Sequence, residues 1–245
     1  MADGPYISVP TWSPSKNWHY TEFTTRDEFR DYIKGLFNEA EPDYKFDETS
    51  HRFNEESRKF EHKGYYTAAP RGSKDYRQYW RTMKERCKKG VLFHNDKGHT
   101  WYLTRYYYHW LNFLKIYNKE LQKQTFPDVL DAQYHVFLYE ELAKLHYMHA
   151  LCFKKRQFAW SYMHVARIFN QYIFDVGFIG KMGASDKKYI DDTGSWKFLN
   201  EYRDFSNEHT GWYRPNFPEK PLNWKQQQEI TTSDGKNSIK VLRLK

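Results

Sequence analysis

Long apolar runs are missing from this chain: no stretch approaches the roughly 18 consecutive residues that a membrane-spanning helix needs. The opening MADGPYISVP lacks the basic-then-apolar pattern of a secretory signal, so export is not expected. Cysteine is scarce. Cys87 and Cys152 stand far apart with no metal-like spacing, which excludes a disulfide framework and suits a reduced, cytoplasmic setting. There is no Cys-x-x-Cys or His-Glu-x-x-His pattern, and His146 and His149 are separated by an expected helix-to-strand break, so no structural metal site is expected. A Gly-x-Ser-x-Gly elbow is absent, and with it the usual support for a serine hydrolase. No internal repeat or low-complexity tract breaks the chain.

What is present is an unusual density of rings. Aromatics make up 20% of the 245 residues, with 21 Tyr, 18 Phe and 9 Trp, far too many for a disordered chain. At 30.0 kDa the chain can bury one sizeable core with a small appended subdomain. The net charge of +8 and pI near 9.2 fit a polyanionic partner such as nucleic acid or nucleotide, although the basic residues are scattered along the sequence rather than run together.

Residues 1–25 carry Pro5, Pro10 and Pro14 and read as an extended arm. Apolar spacing predicts a helix over 26–38, with Thr25 as N-cap and Glu28 as its capping-box partner. Residues 39–66 read as charged and irregular. A loop at Pro70, Gly72 and Ser73 leads into a helix over 75–89 that Gly90 terminates. Val91 to Phe93, the turn 95–98 and Thr100 to Leu103 form a hairpin signature, followed by an aromatic helix over 106–113 whose rings are expected to pack rather than stack on ligands. Beyond Asp128 the pattern changes. A helix is predicted over 130–146 with Ala132, Val136, Tyr139, Leu142 and Ala143 facing inward, then a strand over 149–153 (HALCF). The polar break Lys154-Lys155-Arg156-Gln157 precedes a helix over 160–174, a strand over 176–179 and a helix from Ser185 to about Phe205. Two strands, around Ile230 and over 238–244, flank the turn Ser233-Asp234-Gly235. Alternation of strand and helix at these lengths predicts a parallel α/β unit.

Strand, basic loop and helix over 149–174 is the arrangement a phosphate-binding loop needs: amides at a helix N-terminus meet the anion and a lysine adds charge. Against G-x-x-x-x-G-K-[ST], residues 154–161 match only at Ser161; Ala159 takes the place of the second glycine and Trp160 that of the lysine. A positive φ at Ala159 would cost about 1 kcal/mol relative to glycine. Read without any family, the same residues make a basic surface turn capping a helix.

KKRQFAWS resembles the Walker A region of bacteriophage terminase large subunits, the DNA-packaging motors. The resemblance implies a nucleotide-binding set of Gln133, Lys154, Lys155, Arg156, Gln157, Phe158, Ala159, Trp160 and Ser161. In that set Lys154 is the displaced loop lysine, Arg156 a planar donor to phosphate, Ser161 the Mg2+ ligand and Gln133 the adenine contact. LDAQYHVFLYEELAKL, FDVGFIGKMGASDKKYID, NWKQQQEITTSDGKNSIKV and the aromatic GVLFHNDKGHTWYLTRYYYHWLNF resemble further terminase segments in order, so the resemblance spans about residues 90–245. It implies an α/β fold with a P-loop NTPase-type parallel sheet flanked by helices, incomplete here, preceded by a mostly helical aromatic-rich N-terminal segment over 1–89. It further implies ATP and Mg2+ as cofactors and double-stranded DNA, the portal protein and the small terminase subunit as partners. A homo-oligomeric ring in the cytoplasm of an infected bacterium is the implied setting.

The sequence departs from that family in having no apolar strand closing on Asp-Glu (the Walker B element), no later coupling motif and no nuclease carboxylate cluster; Asp191-Asp192 stands alone. Hydrolysis needs a carboxylate to orient the attacking water. The expectation is therefore an ATP-binding portion whose catalytic remainder follows Lys245, the last strand being expected to continue. A second reading of the composition is a basic, aromatic-rich nucleic-acid-binding or interaction protein with no nucleotide site.

Overall fold

The computed structural model describes residues 7–13, 17–25, 28, 31, 48–94, 100–145, 147–150, 158–184, 194–211, 227–231 and 238–243. Two compact units emerge: Met1–Asp47 with Tyr139–Ala150, and Glu48–Leu138 with Leu151–Lys245. Among the described residues the fold is a mixture of helices and small sheets, with no closed barrel. No helix among them is long and apolar enough to cross a membrane.

In the first unit the arm expected to be merely extended is a paired hairpin. Strand β1 (Ile7–Ser13) runs antiparallel to β2 (Asn17–Phe23), with Pro10 opposite Tyr20. A two-stranded ribbon leaves each strand an unpaired edge, which is where a proline without an N–H can sit. The predicted capping box is formed. The Thr25 hydroxyl accepts the Glu28 amide at 3.2 Å, and the Glu28 carboxylate accepts the amides of Thr25 (3.2 Å) and Thr24 (2.8 Å). Those donors, the Thr24 amide first, hold the Glu28 carboxyl below its ordinary range. Most of the predicted helix over 26–38 lies outside the described residues.

The second unit is built around one short helix. Helix α1 (Glu55–Lys63) falls where the sequence reads as irregular, preceded by a 3-10 turn over Glu48–Arg52. Its sequence shows no helical period because Phe60 is its one buried apolar side chain, beside the buried Glu56 and Ser57. Its stability comes from outside: the Asn112 amide oxygen accepts the N–H groups of Glu56 (3.1 Å) and Ser57 (3.3 Å), a cap supplied by another helix. Helix α2 (Lys74–Lys89) starts at Ser73, whose hydroxyl accepts the Tyr76 amide, and stops at Gly90 with φ 80°. A Cβ at Gly90 would also lie 2.5 Å from the Leu103 carbonyl, so both conformation and space require glycine there.

The hairpin β3 (Val91–His94) and β4 (Thr100–Leu103) pairs Val91 with Leu103 and His94 with Thr100, as its signature predicts. Its turn, 95–99, lies outside the described residues. Helix α3 (Arg105–Phe113), capped by Thr104, is buried from Tyr106 to Phe113. A helix buried on every side belongs at the centre of a core, and α1, α2 and the later α5 pack around this one. Three of its polar tips are matched individually. Tyr107 donates to the Leu130 carbonyl (3.0 Å), Tyr108 accepts from Arg86 (3.2 Å), and the Trp110 indole donates to Gln133 (3.2 Å). The expectation that this aromatic run serves packing holds.

A small hairpin, β5 (Ile116–Asn118) with β6 (Lys123–Thr125), leads to α4 (Asp131–Leu145). On α4 the buried positions in the second unit are Gln133, Tyr134 and Phe137; of the predicted inward set, Ala132 is exposed, Val136, Tyr139 and Leu142 are half-buried, and Ala143 is buried as expected. Docking on α3 decides the rotation: Tyr134 and Phe137 meet the Tyr107 ring at 5.8 and 5.6 Å. In the first unit α4 ends in a Schellman turn, with Tyr147 at φ 54° and the Met148 amide on the Ala143 carbonyl at 2.8 Å. That turn leaves His149 and Ala150 exposed and outside any strand, which corrects the first part of the strand expected over 149–153; the remainder lies outside the described residues.

Helix α5 (Trp160–Phe174) matches its predicted span, with Met163, Ala166 and Phe169 buried. The strand expected over 176–179 instead begins where that span ends, as β7 (Ile179–Ala184). Val176, at 87% exposure, belongs to the turn after α5, and Gly177 there has φ 75°. Helix α6 (Ser195–His209) starts later than predicted, after Gly194; Ser185 lies outside the described residues. Strands β8 (Gln227–Thr231) and β9 (Ser238–Arg243) complete a three-stranded sheet in the order β7-β9-β8. Here β7 and β9 are parallel and β8 and β9 antiparallel. The parallel pair is the one instance among the described strands of the expected parallel arrangement; the other sheets are two-stranded and antiparallel.

Candidate phosphate-binding helix terminus

The loop residues Lys154, Lys155, Arg156 and Gln157 lie outside the described residues, as does Cys152. Phe158, Ala159, Trp160 and Ser161 are described and form the entrance to α5. Ala159 is the N-cap, at φ 57° and ψ 19°, in the left-handed region that alanine seldom occupies. The positive φ carries the strain expected of alanine at this position. Alanine offers no side-chain acceptor, so the terminus has no side-chain cap. The first intrahelical bond runs from the Met163 amide to the Ala159 carbonyl at 3.0 Å, leaving the amides of Trp160, Ser161 and Tyr162 ahead of the helical ladder. Three such N–H groups with the positive end of a 15-residue helix dipole behind them suit an anion.

The Trp160 indole packs against the His164 ring one turn along α5, at a centroid distance of 4.4 Å. Ser161 is exposed. The first turn is held by Tyr162, which stacks on Phe198 at 3.7 Å and whose carbonyl accepts the Tyr202 hydroxyl at 3.1 Å. The far half of α5 is fastened by a polar cluster that no sequence pattern announces. Arg105 donates through Nε to Asn170 (2.8 Å) and pairs through Nη2 with Asp175 (2.7 Å), while the Asn170 amide donates to the Cys87 carbonyl (3.0 Å). Cys87 itself is fully buried, and burial pushes its thiol well above the ordinary range, so it is an inert packing residue.

Gln133 is placed on α4 rather than in this turn. It is 4% exposed and its amide oxygen accepts the Trp110 indole N–H. Among the described residues no three of His, Cys, Asp and Glu converge on a metal-binding position. Comparison with family models, curated proteins and solved structures finds no match. The site therefore stands on its own geometry.

Strain at Ala159 is directly measurable. Ala159→Gly relieves a positive φ and is expected to stabilise the protein by about 0.5–1 kcal/mol, read as a higher urea midpoint. A lower midpoint would show that this turn is not left-handed.

Proposed function

We propose that this chain is the ATP-binding portion of a bacteriophage terminase large subunit, which couples ATP hydrolysis to movement of double-stranded DNA into a capsid. The observation that carries the reading is the left-handed, uncapped residue Ala159 at the mouth of α5, where the phosphate-loop pattern sets its second glycine. A backbone that turns there presents the following amides to a single anion.

The donor set fits a nucleotide phosphate: three leading amides on α5, with the basic run Lys154, Lys155 and Arg156 next to them in sequence. Lys154 supplies the displaced lysine charge, and Arg156 and Gln157 add donors. Phe158 and Trp160 flank the turn. Ser161 offers the hydroxyl that holds Mg2+, which when bound with ATP neutralises phosphate charge. Gln133 takes the adenine-reading role in this scheme by exchanging its bond to Trp110 for one to the base. The parallel pair β7 and β9 belongs, in the same reading, to a P-loop-type sheet. The portal, the small terminase subunit, a homo-oligomeric ring and the infected host's cytoplasm follow from the assignment.

The test is titration with a fluorescent non-hydrolysable ATP analogue, with and without Mg2+. Weak, Mg2+-dependent binding that Lys154→Ala abolishes supports the assignment, together with negligible turnover from this chain alone. Binding indifferent to Lys154→Ala, or none at all, removes the nucleotide site.

A further inference from the structure

We infer that one face of α2 is a docking surface for the phosphate backbone of duplex DNA. Lys74, Arg77, Arg81, Lys84 and Lys88 recur at steps of three, four, three and four residues, and all five are exposed. At 100° per residue they fall within roughly 80° of the helix circumference. They extend over about 21 Å of helix, long enough to face about three or four successive phosphates of one strand. In the sequence these residues look scattered; the helix aligns them.

Among the described residues none of the five pairs with a carboxylate. Arg77 donates to the Gly72 carbonyl at 2.7 Å, and the nearest ion pair on the helix joins Glu85 to Lys89 at 2.9 Å. The helix carries two acids, neither on the stripe: Asp75 lies well off its arc, and Glu85 borders it. The adjoining face is anchored by the buried Trp80, Met83 and Cys87, so the stripe is held on a rigid element.

The chemistry beside the stripe selects among polyanions. No large apolar side chain of α2 is exposed, so there is nothing to insert into a lipid surface and no free ring for unpaired bases to stack on. A row of cations without stacking groups matches the regular phosphates of a duplex, contacted without reading sequence. The inference rests on the duplex-DNA partner of the function proposed above, but not on its nucleotide site.

The experiment is fluorescence anisotropy of a labelled mixed-sequence duplex of about two helical turns, titrated without nucleotide across a salt series. The variant is Arg81→Ala/Lys84→Ala/Lys88→Ala. Its control, Lys63→Ala/Lys119→Ala/Lys123→Ala, removes the same charge from exposed positions elsewhere in the unit. The stripe variant is expected to bind at least roughly tenfold more weakly and to lower the slope of log K against log salt by about 3, the control by much less. Far-UV circular dichroism and ATP-analogue binding report whether the variant is folded, and a failed nucleotide site leaves the duplex result readable. Equal losses in both variants overturn the inference, as does absence of duplex binding. It is equally overturned if single-stranded DNA, or vesicles containing phosphatidylserine, bind more tightly than the duplex with the same dependence on the stripe.

Discussion

Asn112→Ala is expected to destabilise the protein by about 3–5 kcal/mol, the sum of several buried hydrogen-bonding groups left without partners. The Asn112 side chain is fully buried and uses both ends. Its oxygen accepts from the amides of Glu56 and Ser57, and its nitrogen donates to the carbonyls of Phe53 (2.8 Å) and Tyr108 (3.0 Å). Alanine would strand the first turn of α1 and the Phe53 carbonyl in a place water does not reach. Asn112→Asp keeps the acceptor and loses the donors, so it should also be destabilising, with α1 retained. The comparison is Asn118→Ala, whose bonds to the Glu120 and Leu121 amides are exposed, and which should cost about 1 kcal/mol or less. Urea unfolding decides the matter: a loss below about 1 kcal/mol at Asn112 would mean that α1 is not capped from α3.

His109 makes the core sensitive to acid. It is fully buried on α3, its ring stacked parallel to Phe169 at 6.1 Å and edge-on to Phe174 at 5.4 Å. Burial, and secondarily the charge of Arg105, push its pKa from the ordinary 6.5 down to about 3. Between those values the unfolded chain binds a proton that the folded chain refuses. Stability therefore rises with pH across this window, and is lost as pH falls from about 6.5 toward 3. The single group accounts for roughly 3–5 kcal/mol over the window. His109→Phe removes the titration, so the difference in unfolding free energy between wild type and variant should change by that amount between pH 7 and pH 3.5, whatever the offset at neutral pH. A difference that stays constant with pH would place the imidazole in contact with water.

The candidate site divides along the same line as the fold. The helix behind the loop was readable because Met163, Ala166 and Phe169 repeat at helical spacing, and its first residue was placed at Trp160. The positive φ of Ala159 does not follow from local preference, since alanine does not favour that conformation and its surroundings must impose it. Gln133 shows the limit of motif reading. Its position on a helix was predicted, yet its amide is turned onto Trp110, a residue 23 positions earlier that no local pattern connects to it. The Arg105, Asn170 and Asp175 cluster was invisible for the same reason: three polar residues drawn from two segments meet only after α3 and α5 pack.

Local chemistry was enough for α2, the β3–β4 hairpin, α3 and α5, because each carries its own start, stop or period: Ser73 and Gly90, Val91 facing Leu103, the capping Thr104, the apolar repeat of α5. It was also enough to read the ring-rich segment as core. Folding in three dimensions settled which side of α4 is buried, because Tyr134 and Phe137 find the rings of α3 while Ala132 finds nothing. It likewise made a helix of the charged α1, through a cap and a half-buried hydrogen bond, Tyr79 to Glu56 at 2.6 Å, borrowed from elsewhere in the chain. The sheet depended on it too, since β7 and β9 lie far apart in sequence and become parallel neighbours only across α6. Short-range preferences act within one turn or one strand; a side chain's burial, partner and charge neighbours are properties of what packs against it.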